Sequence, residues 1–146
     1  MPRRQAVTNR LEHEYKKMTA GIKGKLAKAE YVAITSDGWT STTTESYMTI
    51  TCHFIVEGEL FNRVLQTRAM EERHTAVNLA KHLRTSTGDW GLEGKVVACV
   101  HDNAANMVLA NESMLDWESV PCFSHTLQLA VNDGLKANAI ARLIRP

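Results

Sequence analysis

A chain of 146 residues suits one domain with one hydrophobic core. Its 44% hydrophobic and 23% charged residues are ordinary for a globular protein, and no apolar run approaches the roughly 18 residues that a membrane helix needs. No apolar segment follows the basic start either, so the sequence argues against both a membrane span and a secretory signal.

The net charge of +1 conceals an uneven distribution of charge. Residues 1–30 carry eight Lys and Arg against three Glu, whereas residues 31–146 carry nine Lys and Arg against thirteen acidic residues. We therefore divide the chain into a basic helical lead-in, residues 1–30, and a body, residues 31–146. A basic arm suits a polyanionic partner, although a helix with a solvated basic face is the simpler explanation.

The cysteine content favours a reducing compartment. The three cysteines, Cys52, Cys99 and Cys122, are odd in number, and no pair shows the spacing of a disulfide framework. Cys52 and Cys99 lie in apolar, strand-like runs, where a free thiol behaves as a small hydrophobic side chain.

The first predicted element is an amphipathic helix over residues 9–30, for which Thr8 or Asn9 is the expected N-cap. Its apolar residues recur every three or four positions on one face: Leu11, Tyr15, Met18, Ile22 and Leu26. Three predicted strands follow, at residues 31–41, 47–58 and 60–70. The second strand alternates apolar and polar residues, and a turn at 57–59 joins it to the third, which predicts an antiparallel hairpin.

The second half of the body alternates helices with short strands. A helix begins near Thr75 and breaks in the stretch 85–94, and the apolar run 95–102 is typical of a strand buried on both faces. The remaining elements are a helix over 103–112, a strand at 120–123 and a final helix towards Ile144. This order predicts an α/β fold with a mixed sheet, in which an antiparallel three-strand meander is extended by parallel strands through helical crossovers.

Two acidic residues stand at the ends of predicted strands. Asp37 lies near the end of the first strand, and Asp102 ends the fourth. If these strands are neighbours, the two carboxylates form a hard-oxygen site suited to Mg²⁺ or Mn²⁺, which are metals of phosphoryl transfer. The residue pattern alone favours a simpler alternative, in which Asp37 and Gly38 form a turn and Asp102 caps the following helix.

Cys122 and His125 supply at most two of the four ligands of a structural zinc site, so no zinc is expected. Nothing supplies the third, orienting group of a Cys-His nucleophilic pair. Ser124 is the expected N-cap of the final helix. The tryptophans could stack on a nucleobase, but packing at the edge of the core is the favoured interpretation for all three: Trp39, Trp90 and Trp117.

Three motifs occur in the order of a known family, at residues 34–41, 100–107 and 121–130. Together they resemble the hAT superfamily of transposases, especially their domesticated relatives, the zinc-finger BED-domain proteins. The resemblance runs from about Val32 to the end of the chain. It implies the N-terminal part of a ribonuclease-H-like core with flanking helices, incomplete in this chain, and a nuclear location.

By this resemblance, Asp37 and Asp102 are the first two members of an acidic triad that binds Mg²⁺ or Mn²⁺ and cuts and joins DNA. Cys122 and His125 would lie near the same site, and together with Trp39 they are the expected DNA-proximal residues. The family's third carboxylate, its BED zinc finger and its dimerisation segment find no counterpart in this sequence.

The favoured function is a transposase-derived, nucleic-acid-associated domain without catalytic activity as it stands, because the third acid is not found. DNA is the expected partner, and self-association with other copies is a second expectation. Two alternatives stay open: a protein-interaction or scaffold module of a BED-type regulator, and a transposase core that needs further segments. Three acidic residues of the later body are interpreted as solvated surface: Glu112, Asp116 and Glu118.

Overall fold

A computed structural model describes residues 4–42 and 45–136 of the chain. The helices are α1 (Arg4–Lys28), α2 (Ala76–Asp89), α3 (Ala105–Met114) and α4 (Phe123–Lys136). The strands are β1 (Val32–Thr40), β2 (Ser46–Val56), β3 (Glu59–Ala69), β4 (Val96–His101) and β5 (Glu118–Pro121). Among the described residues, no helix is both long and apolar enough to cross a membrane.

The five strands form one mixed sheet in the order β3-β2-β1-β4-β5. The first three strands pair antiparallel, whereas β4 pairs parallel with β1 and β5 pairs parallel with β4. The predicted meander with parallel extensions is therefore confirmed. The β2–β3 turn consists of Glu57 and Gly58, whose φ angles of 54° and 82° match the two positive φ values that a tight type I′ hairpin turn requires.

The hydrophobic core lies on one face of the sheet, beneath α2, α3 and the end of α1. Alternation along β2 buries every second side chain, from Met48 to Phe54, because successive residues of a strand point to opposite faces. Helix α2 covers these side chains with Leu79 and Leu83, and Leu92 follows behind it. The buried hydrophobic residues of the described ranges form one cluster.

The opposite, outer face of the sheet is much less covered. Ile55, Leu60 and Val64 are exposed there, and so is Val97 on β4. Helix α4 has no buried residue, although Phe123 and other apolar side chains lie along it. Within the described ranges, the chain thus leaves apolar surface open on both the outer sheet face and α4.

The predicted starts of two helices are wrong. Helix α1 begins by Arg4, before the expected caps, and the Thr8 hydroxyl donates to the Arg4 carbonyl inside the helix instead of capping it. Helix α4 begins at Phe123, so Ser124 lies within it, and the Cys122 carbonyl accepts from the Thr126 amide. The expected continuation of this helix towards residue 144 lies outside the described residues.

The predicted break within residues 85–94 is confirmed, because α2 ends at Asp89. The last turn of α2 includes two buried polar residues, Ser86 and Thr87. Burial of Thr87 is tolerated because its hydroxyl donates to the Leu83 carbonyl, 3.0 Å away. The helix ends where Gly91 adopts a φ of 69°, which a residue with a side chain rarely adopts.

Candidate functional site

The two candidate acids lie at neighbouring positions of adjacent strands. Ser36 of β1 is the register partner of His101, the last residue of β4, so Asp37 and Asp102 each follow one member of this pair. Adjacent strands are about 4.8 Å apart. The structure therefore brings the two acidic residues to the same part of the sheet, as expected for strands that are neighbours.

Asp37 does not form a turn. It lies within β1 opposite Thr49 of β2, and Gly38 lies opposite Met48, so β1 continues past the Asp-Gly pair. The turn interpretation is therefore wrong. Pairing with β2 overrides the local preference of Asp-Gly for turns, and the Asp37 side chain is left exposed.

Asp102 is not the N-cap of the following helix, so the capping interpretation is wrong, although its side chain contacts the backbone just before that helix. Its Oδ1 accepts a hydrogen bond from the Ala104 amide at 3.3 Å, just before α3 begins. The N-cap position itself is Ala104, which has no capping side chain. Asp102 is half-buried and lies two residues before the N-cap, so it both contacts the backbone at the helix start and borders the end of β4.

A groove of about 380 Å³ opens beside Asp102. It runs from the end of β1 to the start of α3, and its lining includes Trp39, His74, Asp102, Asn106 and Met107. Asp37 does not line it. The groove therefore contains one of the two carboxylates and has both apolar and hydrogen-bonding walls.

Trp39 forms one wall of this groove and is 48% exposed, so the core-packing interpretation is wrong for it. Its ring stacks on Tyr47 with centroids 4.6 Å apart. The Tyr47 hydroxyl donates to Glu45 at 2.7 Å, and this hydrogen bond raises the pKa of Tyr47. Packing is confirmed for the other two tryptophans, because Trp90 is buried and Trp117 is partly buried against the core.

The third motif is connected to the end of β4. The Cys122 amide donates to the His101 carbonyl at 2.8 Å, and Asn103 donates to the Thr126 hydroxyl at 3.1 Å. Cys122 and His125, both partly exposed, thus lie near the segment that contains Asp102. Among the described residues, no three His, Cys, Asp or Glu side chains cluster as a metal site would require.

Two carboxylates remain compatible with Mg²⁺ or Mn²⁺, because Mg²⁺ usually keeps several waters and takes only one or two protein carboxylates. Asp37 is exposed, and the Asp102 contact to Ala104 uses one carboxylate oxygen, Oδ1. These donors are hard oxygens, as such ions prefer. The residues present therefore fit a hydrated divalent ion and do not fit a closed, all-protein site.

Sequence reasoning gave His101 no defined role, and it missed Ser119, which contacts the His101 ring. The His101 side chain is 1% exposed, and its Nε2 lies 2.9 Å from the Ser119 hydroxyl oxygen. Its Nδ1 contacts the Asp102 carbonyl oxygen. A histidine at the end of a buried strand was the only signal in the sequence, and nothing in it indicated Ser119 as the partner.

Comparison with known proteins gives two kinds of relative. The chain is 25% identical over 91% of its length to a candidate transcriptional regulator, tpeD, of Talaromyces stipitatus. It is 34% identical over 69% of its length to a candidate AC transposase of Zea mays. The chain spans only 17% and 14%, respectively, of the length of these relatives.

Among solved structures, the catalytic domain of Mos1 transposase, determined with raltegravir and Mn, aligns with 84% of this chain and 68% of its own chain. The TM-score is 0.39 and the sequence identity 15%. A second structure of the Mos1 mariner catalytic domain aligns with a TM-score of 0.35 and 14% identity over the same shares of the two chains.

The family model described as the ZBED1 RNase-like domain matches residues 35–120. The match begins two residues before Asp37 and includes Asp102, His101 and Ser119. It confirms the resemblance to hAT-derived BED proteins and the ribonuclease-H-like α/β fold. Because the matched residues are more than half of the chain, this chain belongs to the ZBED1 RNase-like domain family.

Proposed function

We propose that this transposase-derived domain associates with nucleic acid and that Asp37 and Asp102 hold Mg²⁺ or Mn²⁺ where it does so. The supporting observation is the register of β1 and β4, which places both acids directly after the Ser36–His101 pair. A divalent ion held there would supply positive charge beside a phosphate of the nucleic acid. The two carboxylates would occupy some of the coordination positions of the ion, and water and phosphate oxygens would occupy the others.

The proposed role does not include catalysis by this chain as it stands. Glu112 and Asp116 are exposed, and Glu118 begins β5 opposite Ala98, three residues before the strand end at Pro121. Three residues of strand correspond to about 10 Å, so Glu118 lies away from the end of the sheet where Asp102 is. None of these acids is a suitable third carboxylate for the pair.

DNA is the proposed nucleic acid, with the groove beside Asp102 as its contact. Trp39 offers an exposed indole whose other face stacks on Tyr47, and base stacking on aromatic rings does not depend on sequence. Cys122 and His125 border the same strand end and are proposed as further DNA-proximal residues. A transposase and a transcriptional regulator among the relatives support a nuclear location.

Calorimetric titration with Mn²⁺ tests the metal site. We expect the native chain to bind at millimolar or lower concentration and both Asp37→Asn and Asp102→Asn to lose at least about tenfold in affinity, since each removes one of two charged ligands. Asp116→Asn is the matched control, because Asp116 is equally acidic but exposed outside the site. Native binding that survives in both site variants, or no binding by the native chain, contradicts the proposal.

A protein-interaction module is the second candidate function, favoured by the open apolar surface of α4. Leu127 and Val131 are 52% and 51% exposed, one helical turn apart. Exposed apolar patches of this kind often mark interaction sites. We expect the chain to self-associate as concentration rises in sedimentation equilibrium and Leu127→Lys to reduce this more than Gln128→Lys. A monomer at every concentration would contradict self-association.

A further inference from the structure

His101 occupies an unusual place for a titratable side chain. It is the last residue of β4, its side chain is 1% exposed, and it directly precedes Asp102. Its main chain is fixed as well, because the His101 carbonyl accepts from the Cys122 amide and its backbone pairs with Ser36 of β1. The ring therefore projects from a rigid part of the sheet.

Both ring nitrogens of His101 have partners. Nδ1 contacts the carbonyl oxygen of Asp102, which can only accept, so the ring carries its proton on Nδ1 and donates there. Nε2 lies 2.9 Å from the Ser119 hydroxyl oxygen, which can pair with the ring as donor or acceptor. Ser119 belongs to β5, so the ring joins the backbone of Asp102 to the neighbouring strand.

We infer that His101 is a positioning residue for the Asp102 carboxylate and that Ser119 holds the ring in the orientation this requires. The contact of Nδ1 with the Asp102 carbonyl limits rotation of the Asp102 backbone where the chain leaves β4. From that fixed backbone the carboxylate reaches the Ala104 amide. A hydrogen bond that fixes the orientation of a carboxylate commonly determines how well it binds a metal. The effect of a fixed Asp102 carboxylate on metal binding rests on the proposed function, whereas the positioning of that carboxylate by His101 does not.

The simpler explanation is that His101 fills space and satisfies its own polar atoms. Two substitutions separate the explanations. His101→Asn places an amide nitrogen near the Nδ1 position and retains a donor to Asp102, whereas His101→Gln places its amide near Nε2 and retains only the contact to Ser119. Both replace a buried ring by a smaller amide, so a space-filling role predicts similar losses of stability and no difference at Asp102.

The decisive measurement needs no metal. Three-bond couplings between the Hα and Hβ protons of Asp102 report whether its side chain occupies one rotamer or several. We expect one rotamer in the native chain and in His101→Asn, and averaged couplings in His101→Gln. Identical couplings in the native chain and His101→Gln would overturn the inference, whether or not the native chain binds Mn²⁺.

Ser119→Ala keeps the ring and removes only the hydroxyl, which guards against failure of the His101 variants to fold. We expect its ring ¹⁵N shifts to keep the native tautomer, which the Asp102 carbonyl sets, and its Asp102 couplings to move towards the averaged values, because the ring is no longer held at Nε2. Unchanged couplings in Ser119→Ala would overturn the inference. In Mn²⁺ titrations, His101→Gln is expected to bind roughly tenfold to a hundredfold more weakly and His101→Asn nearly as well as the native chain. If the native chain does not bind Mn²⁺, that result contradicts the proposed metal site but not the positioning of Asp102 by His101.

Discussion

Raising the pH above 9 is expected to destabilise the folded chain steeply, because two buried thiols resist ionisation. Burial raises the pKa of Cys52 from 9.0 to about 12. It raises the pKa of Cys99 to about 11, although a hydrogen bond from Ser36 partly offsets the effect of burial. In the unfolded chain both thiols ionise near their ordinary pKa, so between pH 9 and 12 the unfolded state loses protons that the folded state keeps.

The sign follows from proton linkage. A group whose pKa is higher in the folded state contributes its full stability below the unfolded pKa and loses it as pH rises towards the folded pKa. At about 1.4 kcal/mol for each pKa unit, the full losses are of order 4 kcal/mol for Cys52 and 3 kcal/mol for Cys99. Losses of this size are comparable with the whole stability of a small domain.

Urea unfolding at pH 7, 9 and 10.5 measures the effect. The native chain should lose stability mainly between pH 9 and 10.5, and the double variant Cys52→Ala, Cys99→Ala should show a clearly flatter dependence over the same interval. Comparing the two slopes cancels contributions from tyrosines and lysines that both chains share. Cys122→Ala is the matched control, since Cys122 is partly exposed. Equal slopes for native and double-variant chains would contradict the prediction.

The hairpin strands were predictable because their pattern is local. Met48, Ile50, Cys52 and Phe54 alternate with polar residues, and burial of one sheet face follows directly from that spacing. The sheet order was also accessible, since a short turn dictates antiparallel pairing and a helical crossover permits parallel pairing. The motif residues gave the family, which in turn indicated the fold.

Contacts between distant segments were not predictable from local patterns. Asp-Gly prefers turns, but Asp37 is held in β1 by pairing with Thr49, a partner that the sequence does not identify. Ser119 lies 18 positions from His101, so only the fold brings its hydroxyl to the ring. The candidate site therefore could be predicted as far as its two acids, but the residues that position them could not.

Replacement of Lys95 by Met is expected to destabilise the chain by roughly 2 kcal/mol, a typical effect of losing hydrogen bonds made by a charged group. The Lys95 ammonium donates to three carbonyls at and just after the end of α1: Leu26 at 3.1 Å, Ala27 at 3.2 Å and Ala29 at 2.8 Å. Carbonyls at a helix C-terminus lack partners within the helix, and a positive charge there also complements the helix dipole. Met keeps the aliphatic stem and removes only the ammonium.

The same substitution should loosen α1, because Leu26 is the one buried side chain of this helix among the described residues. Urea unfolding measures the stability, and hydrogen exchange of the α1 amides measures the attachment of the helix. Lys81→Met is the matched control, since Lys81 is exposed and its ion pair with Glu72, at 3.8 Å, should contribute less than about 1 kcal/mol. If Lys95→Met and Lys81→Met unfold at the same urea concentration and exchange alike in α1, the ammonium does not hold the helix. A selective loss in Lys95→Met would show that the residue just before β4 anchors the basic helix to the sheet.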